Sequence, residues 1–143
     1  MTAIRITSPI ELYSIGALIA RAIEAMQYPG TKPALVFREL VARAVDPSLG
    51  VFVGIEDGEA RALCIAMLPT SQLMMAAQVV VAYNDGDPKL SREVGTVLKA
   101  WLMEHGARSF LCLNLLHDDD VFRRTFSHVG KGRAVASLLE FRF

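Results

Sequence analysis

Apolar residues recur along this chain at two periods, and the switches between them lay out the elements. Ala3-Ile4-Arg5-Ile6-Thr7 alternates as a short first strand. Ser8-Pro9-Ile10-Glu11 then carries a capping box with proline at the first helical position. Leu12, Ile15, Ile19, Ala22, Ile23 and Met26 share one helical face, so the first helix is predicted to run to about Gln27 and to break at Tyr28-Pro29-Gly30. A second helix is predicted over 33–45, stopping before Asp46-Pro47. Residues 51–56 form a strand, Asp57-Gly58 is a hairpin signal, and 60–68 returns as the third strand. A turn at 69–72 leads to a fourth strand over 75–83. Leu90, Val94, Val97, Leu98 and Trp101 then define a helix that stops at His105-Gly106. The nearly unbroken apolar run 109–116 predicts an interior strand covered on both faces. A fourth helix over 119–128, ended by Gly130, and a last strand over 134–143 complete the pattern.

The predicted order is β-α-α-β-β-β-α-β-α-β in a single domain, 1–143, of the α/β class, with a mixed, mostly antiparallel sheet flanked by four helices. The fourth strand, the third helix and the fifth strand form one right-handed crossover, which makes those strands parallel.

Charge narrows the range of partners. The 143 residues hold 15 Lys plus Arg and 15 Asp plus Glu, a formal net charge of zero. Such a chain lacks the general electrostatic drive toward nucleic acid or an anionic membrane, and neither is expected as a partner. Zero net charge with a 52% hydrophobic fraction favours a protein partner or self-association. Residues 1–10 contain no apolar signal core, and the apolar stretch 63–83 is interrupted by Pro69, Thr70, Ser71, Gln72 and Gln78. A cytoplasmic protein is therefore expected. Cys64 and Cys112 fall on strands three and five, about 10 Å apart with one strand between, too far for a disulfide.

The junction Asn84-Asp85-Gly86-Asp87-Pro88-Lys89-Leu90-Ser91 is the most informative segment. A strand feeding a helix N-terminus offers unpaired backbone N–H groups to an anion. Here Asp87 is a strong N-cap candidate, Pro88 has no N–H to offer, and Asp85 adds negative charge. The loop has the shape for phosphate and the chemistry to repel it.

The element order resembles the GNAT superfamily of N-acetyltransferases over nearly the whole chain. Ile4-Arg5-Ile6 before a capped helix, Val51 to Ala60, Trp101 to Ala107 and Asp119 to Gly130 are similar to the family's opening strand, second hairpin, post-loop helix end and last helical motif. The resemblance implies an acyl-CoA loop similar to Arg/Gln-x-x-Gly-x-Gly/Ala. Gly86 stands at its Arg/Gln position, Lys89 at the first Gly and Ser91 at the Gly/Ala. It also implies a Tyr acting as general acid toward the thiolate, where this chain has Phe126. One strand follows the last helix where the family has two, which is compatible with the small GNAT-like proteins encoded by bacteriophages, and a virion location follows if that is the origin.

Candidate residues fall into four sets. Glu56 and Glu59 flank the hairpin and could act as a general base for an amine, although turn carboxylates more commonly face water. Lys89, Ser91 and Arg92 would hold phosphates if acyl-CoA binds. Asp85, Asp87, His117, Asp118, Asp119 and Asp120 gather on neighbouring loops, as a divalent cation site or an acidic groove for a basic partner or, more commonly, as helix caps and solvated charges. Leu73, Met74 and Met75 form an adaptable contact surface or complete the core face of the fourth strand. The preferred reading is a non-catalytic interaction or structural subunit with no cofactor. The alternative is an active N-acyltransferase using acetyl-CoA.

Overall fold

The computed structural model describes residues 1–26, 30–74, 76–112, 123, 126–134 and 141–142. Its elements are β1 (Thr2–Ile6), α1 (Pro9–Ser14), α2 (Gly16–Met26), α3 (Pro33–Ala42), β2 (Leu49–Glu56), β3 (Glu59–Met67), β4 (Ala77–Asn84), α4 (Pro88–Glu104) and β5 (Phe110–Cys112). One mixed sheet has the order β1-β2-β3-β4-β5. The first three pairings are antiparallel and β4–β5 is parallel, as the crossover rule requires.

The sheet carries a separate core on each face. Val51 and Val53 of β2 and Leu63 and Ile65 of β3 point to one side, under Leu12, Leu18, Ile19 and Ile23 of α1 and α2 and Leu40 of α3. Phe52, Ala62, Cys64 and Ala66 point to the other, under Leu90, Val94, Leu98 and Trp101 of α4. The strict alternation along β2 and β3 is the period-two pattern of strands covered on both sides. Glycine decides how closely α4 approaches: a Cβ on Gly54 would stand 2.6 Å from Leu90 Cγ. Leu90 is fully buried there.

The predicted boundaries hold with three revisions. The single helix expected up to Gln27 is two helices, broken at Ile15, whose N–H turns back to the Leu12 carbonyl at 3.2 Å. The capping box that starts it is present: Glu11 N–H donates to Ser8 Oγ at 3.3 Å, and the Ser8 hydroxyl donates to the Glu11 carboxylate at 2.9 Å. The second helix stops at Ala42, where Arg43 turns to Asp46 at 2.9 Å instead of continuing the helix. Hydrogen bonds from the Ser48 hydroxyl and N–H, reinforced by Arg43, lower the Asp46 carboxyl to about 2. In β5, Phe110 to Cys112 are half-buried rather than interior. The remainder of that strand, most of the predicted fourth helix and most of the last strand lie outside the described residues. Within the fourth-helix region, Phe126 to Val129 make a turn closed by Val129 N–H on the Phe126 carbonyl at 2.9 Å.

A register shift interrupts β4. Ile65 pairs with Val81 and Ala66 with Val79, leaving Val80 as an extra residue. Val79 and Val81, two positions apart, consequently face opposite cores. The β4–β5 ladder among the described residues runs from Ala77↔Phe110 to Val79↔Cys112, so it reaches to this bulge.

Candidate functional site

The end of β4 and the start of α4 form the site that the sequence singles out. Hairpin geometry brings a third element to it. Asp57 and Gly58 take positive φ, 51° and 79°, reversing β2 into β3. This sets Glu56 and Arg61 beside the β4–α4 junction.

The backbone amides of the junction are all spoken for. Asp85 N–H donates to the Arg61 carbonyl at 2.9 Å. Gly86 N–H donates to Asn84 Oδ1 at 2.8 Å and Asp87 N–H to Glu56 Oε2 at 3.1 Å. Pro88 has no N–H. Lys89 N–H donates to Asp87 Oδ1 at 2.8 Å, and Leu90 N–H to the Asp87 carbonyl at 2.9 Å. From 85 to 90, every backbone donor a phosphate could use is absent or already bonded within the chain. Two carboxylates, from Glu56 and Asp87, occupy the positive end of α4.

Gly86 has a role different from a phosphate-binding glycine. A Cβ there would lie 2.5 Å from Glu56 Oε2 and 2.9 Å from Arg61 Cβ. The space that glycine opens is filled by the protein's own side chains.

The other predicted residues are accounted for as follows. Asp87 is the N-cap. Asp85 is bound by Arg21 Nε at 2.8 Å and by the Tyr83 hydroxyl at 3.2 Å, with Arg61 Nη1 at 4.0 Å. The same carboxylate raises the Arg21 pKa, chiefly through that hydrogen bond. Glu59 pairs with Arg61. Glu56 is therefore an acceptor at this joint through Oε2, and Glu59 is a salt-bridge partner of Arg61. Ser91 Oγ accepts from Asn84 Nδ2 at 2.9 Å, while Lys89 and Arg92 are exposed. Asp118, Asp119, His117 and Asp120 lie outside the described residues. Among the described residues, no group of three or more His, Cys, Asp or Glu side chains is placed to hold a metal.

Farther away, Leu73 is 95% exposed, and Met74 turns its sulfur back to the Thr70 N–H at 3.3 Å. Met75 lies outside the described residues. Cys64 and Cys112 are both free thiols; burial raises both, Cys112 to about 12. Phe126 packs edge-on against Phe110 at 5.6 Å. No described helix is long and apolar enough to cross a membrane.

Two interactions escaped sequence reasoning. Glu56 reaches Asp87 across 31 positions, and Arg21 reaches Asp85 across 64. No local pattern encodes either; the only hint was that Glu56 ends a strand.

By sequence, the chain matches no protein-family profile and no curated protein. By structure, it is similar over essentially its whole length to solved proteins, several of them named as acetyltransferases. A ribosomal-protein-alanine N-acetyltransferase from Brucella melitensis biovar Abortus 2308 superposes with a TM-score of 0.70 at 15% identity, covering 99% of this chain and 98% of that one. An integron cassette protein from the mobile metagenome of Cole Harbour Salt Marsh gives 0.72 at 13% identity, covering 99% and 90%. An aminoglycoside acetyltransferase from an uncultured soil metagenomic sample, solved with sisomicin, gives 0.63 at 11% identity, covering 99% and 96%. The chain has a GNAT-like fold, a mixed, mostly antiparallel sheet flanked by helices. At these identities, the likeness concerns the fold alone.

Proposed function

We propose that this GNAT-fold protein is a non-catalytic interaction or structural subunit, such as a component of a phage particle or of another assembly. One observation carries the reading: at the helix N-terminus where the fold would receive a pyrophosphate, the amides from Asp85 to Leu90 are consumed internally and two carboxylates stand in the anion's place. An incoming phosphate would have to break these bonds and sit beside Glu56 and Asp87. Like-charge contact and lost caps both oppose it. Phe126 supplies no proton for a departing thiolate.

A second reading, an active acyl-CoA-dependent N-acyltransferase, draws on the bulge at Val80. It interrupts the β3–β4 ladder beside the end of the described β4–β5 pairing. Backbone amides of β4 would then polarise the thioester carbonyl, with Lys89, Ser91 and Arg92 on the phosphates. Calorimetric titration with acetyl-CoA separates the two. The non-catalytic reading expects weak or absent heat, and micromolar affinity overturns it.

A further inference from the structure

Among the described residues, β1 forms an open edge of the sheet. Thr2 to Ile6 pair with Ile55 to Val51 of β2 in unbroken antiparallel register, and no described residue pairs with the outer side. Open edges are normally blunted by a bulge, a proline or a lysine. β1 has no bulge, proline or lysine; its only protection is its shortness, five residues, and the charge of Arg5, which is turned inward onto Trp101 and the Leu49 carbonyl. Its flank is apolar: Met1 is 58% exposed and Ile4 40% exposed, and Met103, in the last turn of the helix packed on β1, is 63% exposed.

Arg5 is the one charge on this strand, and it is pre-set. Its guanidinium lies over the Trp101 ring at 5.3 Å, and Nη2 donates to the Leu49 carbonyl at 3.2 Å. Among the described residues, no carboxylate lies within ion-pair distance of it. Both Arg5 Nε and Trp101 Nε1 are buried without an acceptor. A half-buried arginine stacked on a tryptophan has the residue types of an interface hot spot. It has a cation in place and, among the described residues, no counter-charge.

We infer that the outer edge of β1 receives an extended segment of another protein, added as a strand, with an acidic side chain opposite Arg5. Main-chain hydrogen bonds to β1 supply the affinity, and the Arg5 pairing with apolar contacts at Ile4 supplies the selectivity. A second copy of this chain fits less well. Antiparallel self-pairing centred on Ile4 sets Arg5 against Ala3, and Thr2 to Ile6 contain no carboxylate to meet it. The edge lies three strands from β4, so acetyl-CoA binding or its absence leaves this inference untouched.

The test uses the whole chain, isotope-labelled, with a capped Thr-Val-Glu-Val-Thr-Val peptide and its counterpart carrying Lys in place of Glu. The acidic peptide slows amide exchange at Thr2 to Ile6 at least tenfold, and the lysine peptide binds at least tenfold more weakly. Arg5→Glu reverses that preference. Ile4→Lys, an exposed change that blunts the edge, weakens the acidic peptide about tenfold with the melting temperature unchanged. Equal binding of the two peptides, protection elsewhere than β1, or no protection overturns the inference. Concentration-dependent protection of β1 without peptide overturns it in favour of a second copy.

Discussion

The Glu56 carboxylate accepts the backbone N–H of Asp87 at 3.1 Å, joining the end of β2 to the first turn of α4. This contact occupies an amide that a helix N-terminus could otherwise offer to an anion. What must be removed to test the proposed function follows from it. Asp87→Gly with Lys89→Gly clears the cap and the added side chain, and acetyl-CoA affinity is expected to rise in calorimetry. Adding Glu56→Ala should raise it further. No gain in either variant would place the obstacle outside this loop.

Gly86→Ala should destabilise the protein. Its new Cβ would meet Glu56 Oε2 and Arg61 Cβ, and crowding of this kind costs about 1–3 kcal/mol. Urea unfolding measures it. Combining Gly86→Ala with Glu56→Ala removes one of the two obstacles, so the double variant should lose less than the sum. Strict additivity would mean that Glu56 does not fill the space beside Gly86.

Gly54 and Leu90 make a second coupled pair. Leu90→Ala alone should cost about 2–5 kcal/mol, because the side chain is fully buried. Gly54→Ala alone should cost about 1–3 kcal/mol by pushing on Leu90. Together the two changes exchange volume across the same gap, and the double variant should be more stable than additivity predicts.

Phe126 sits in the apolar cluster under α4, edge-on to Phe110. Phe126→Tyr is expected to restore no acetyl transfer. Phe126→Ala should lower stability by less than the about 3–5 kcal/mol of a fully buried ring, since this one is half-buried. Acetyl transfer by the Tyr variant would reveal an otherwise working site and contradict the non-catalytic reading.

His128 provides a pH signature. Its ring lies against Gly95 of α4, where a Cβ would collide with it, and Nε2 is buried without a partner. Desolvation, then the nearby Arg92 and Lys99, push its pKa below the ordinary 6.5, against a hydrogen bond with the Ser91 backbone. The neutral ring is the docked form. Its contribution to stability is complete above pH 6.5 and declines as the pH falls below that, because the unfolded chain takes up the proton more readily. Melting temperatures of the wild type and His128→Phe, followed from pH 7.5 to 5, should diverge in slope below 6.5. Parallel curves would remove His128 from the account.

Much of this was written locally in the chain. The Ser8-Pro9-x-Glu11 box, the Asp57-Gly58 reversal and the Asp87-Pro88 start of α4 are short-range signals, and each appears where its chemistry places it. The β4–α4–β5 crossover followed from handedness alone. The break at Ile15 was not legible, because apolar spacing continues evenly through it while the backbone does not. Nor was the half-buried state of β5, which depends on its neighbours rather than on its own composition. At the site, Asp87 was readable as a cap because its partner is two residues away. Glu56, Arg21 and Arg61 were not, since their partners are fixed only once the hairpin is laid beside the helix.

The seating of α4 on β2 has a practical corollary. The helix is gripped from below by Leu90, Leu98 and Trp101, over a strand that Gly54 keeps low. Residues 85–89, above that grip, settle their hydrogen bonds chiefly with Asn84, Glu56, Arg61, Tyr83 and Arg21. The apolar packing of the frame does not depend on these polar ties, so the segment is separable from either core once Glu56 and Arg21 are released from it. A glycine-rich loop grafted between Asn84 and Leu90, with Glu56 shortened to match, would meet the same strand end and the same helix axis. Gain or loss of ligand chemistry in this architecture can therefore proceed by loop replacement, without repacking either core.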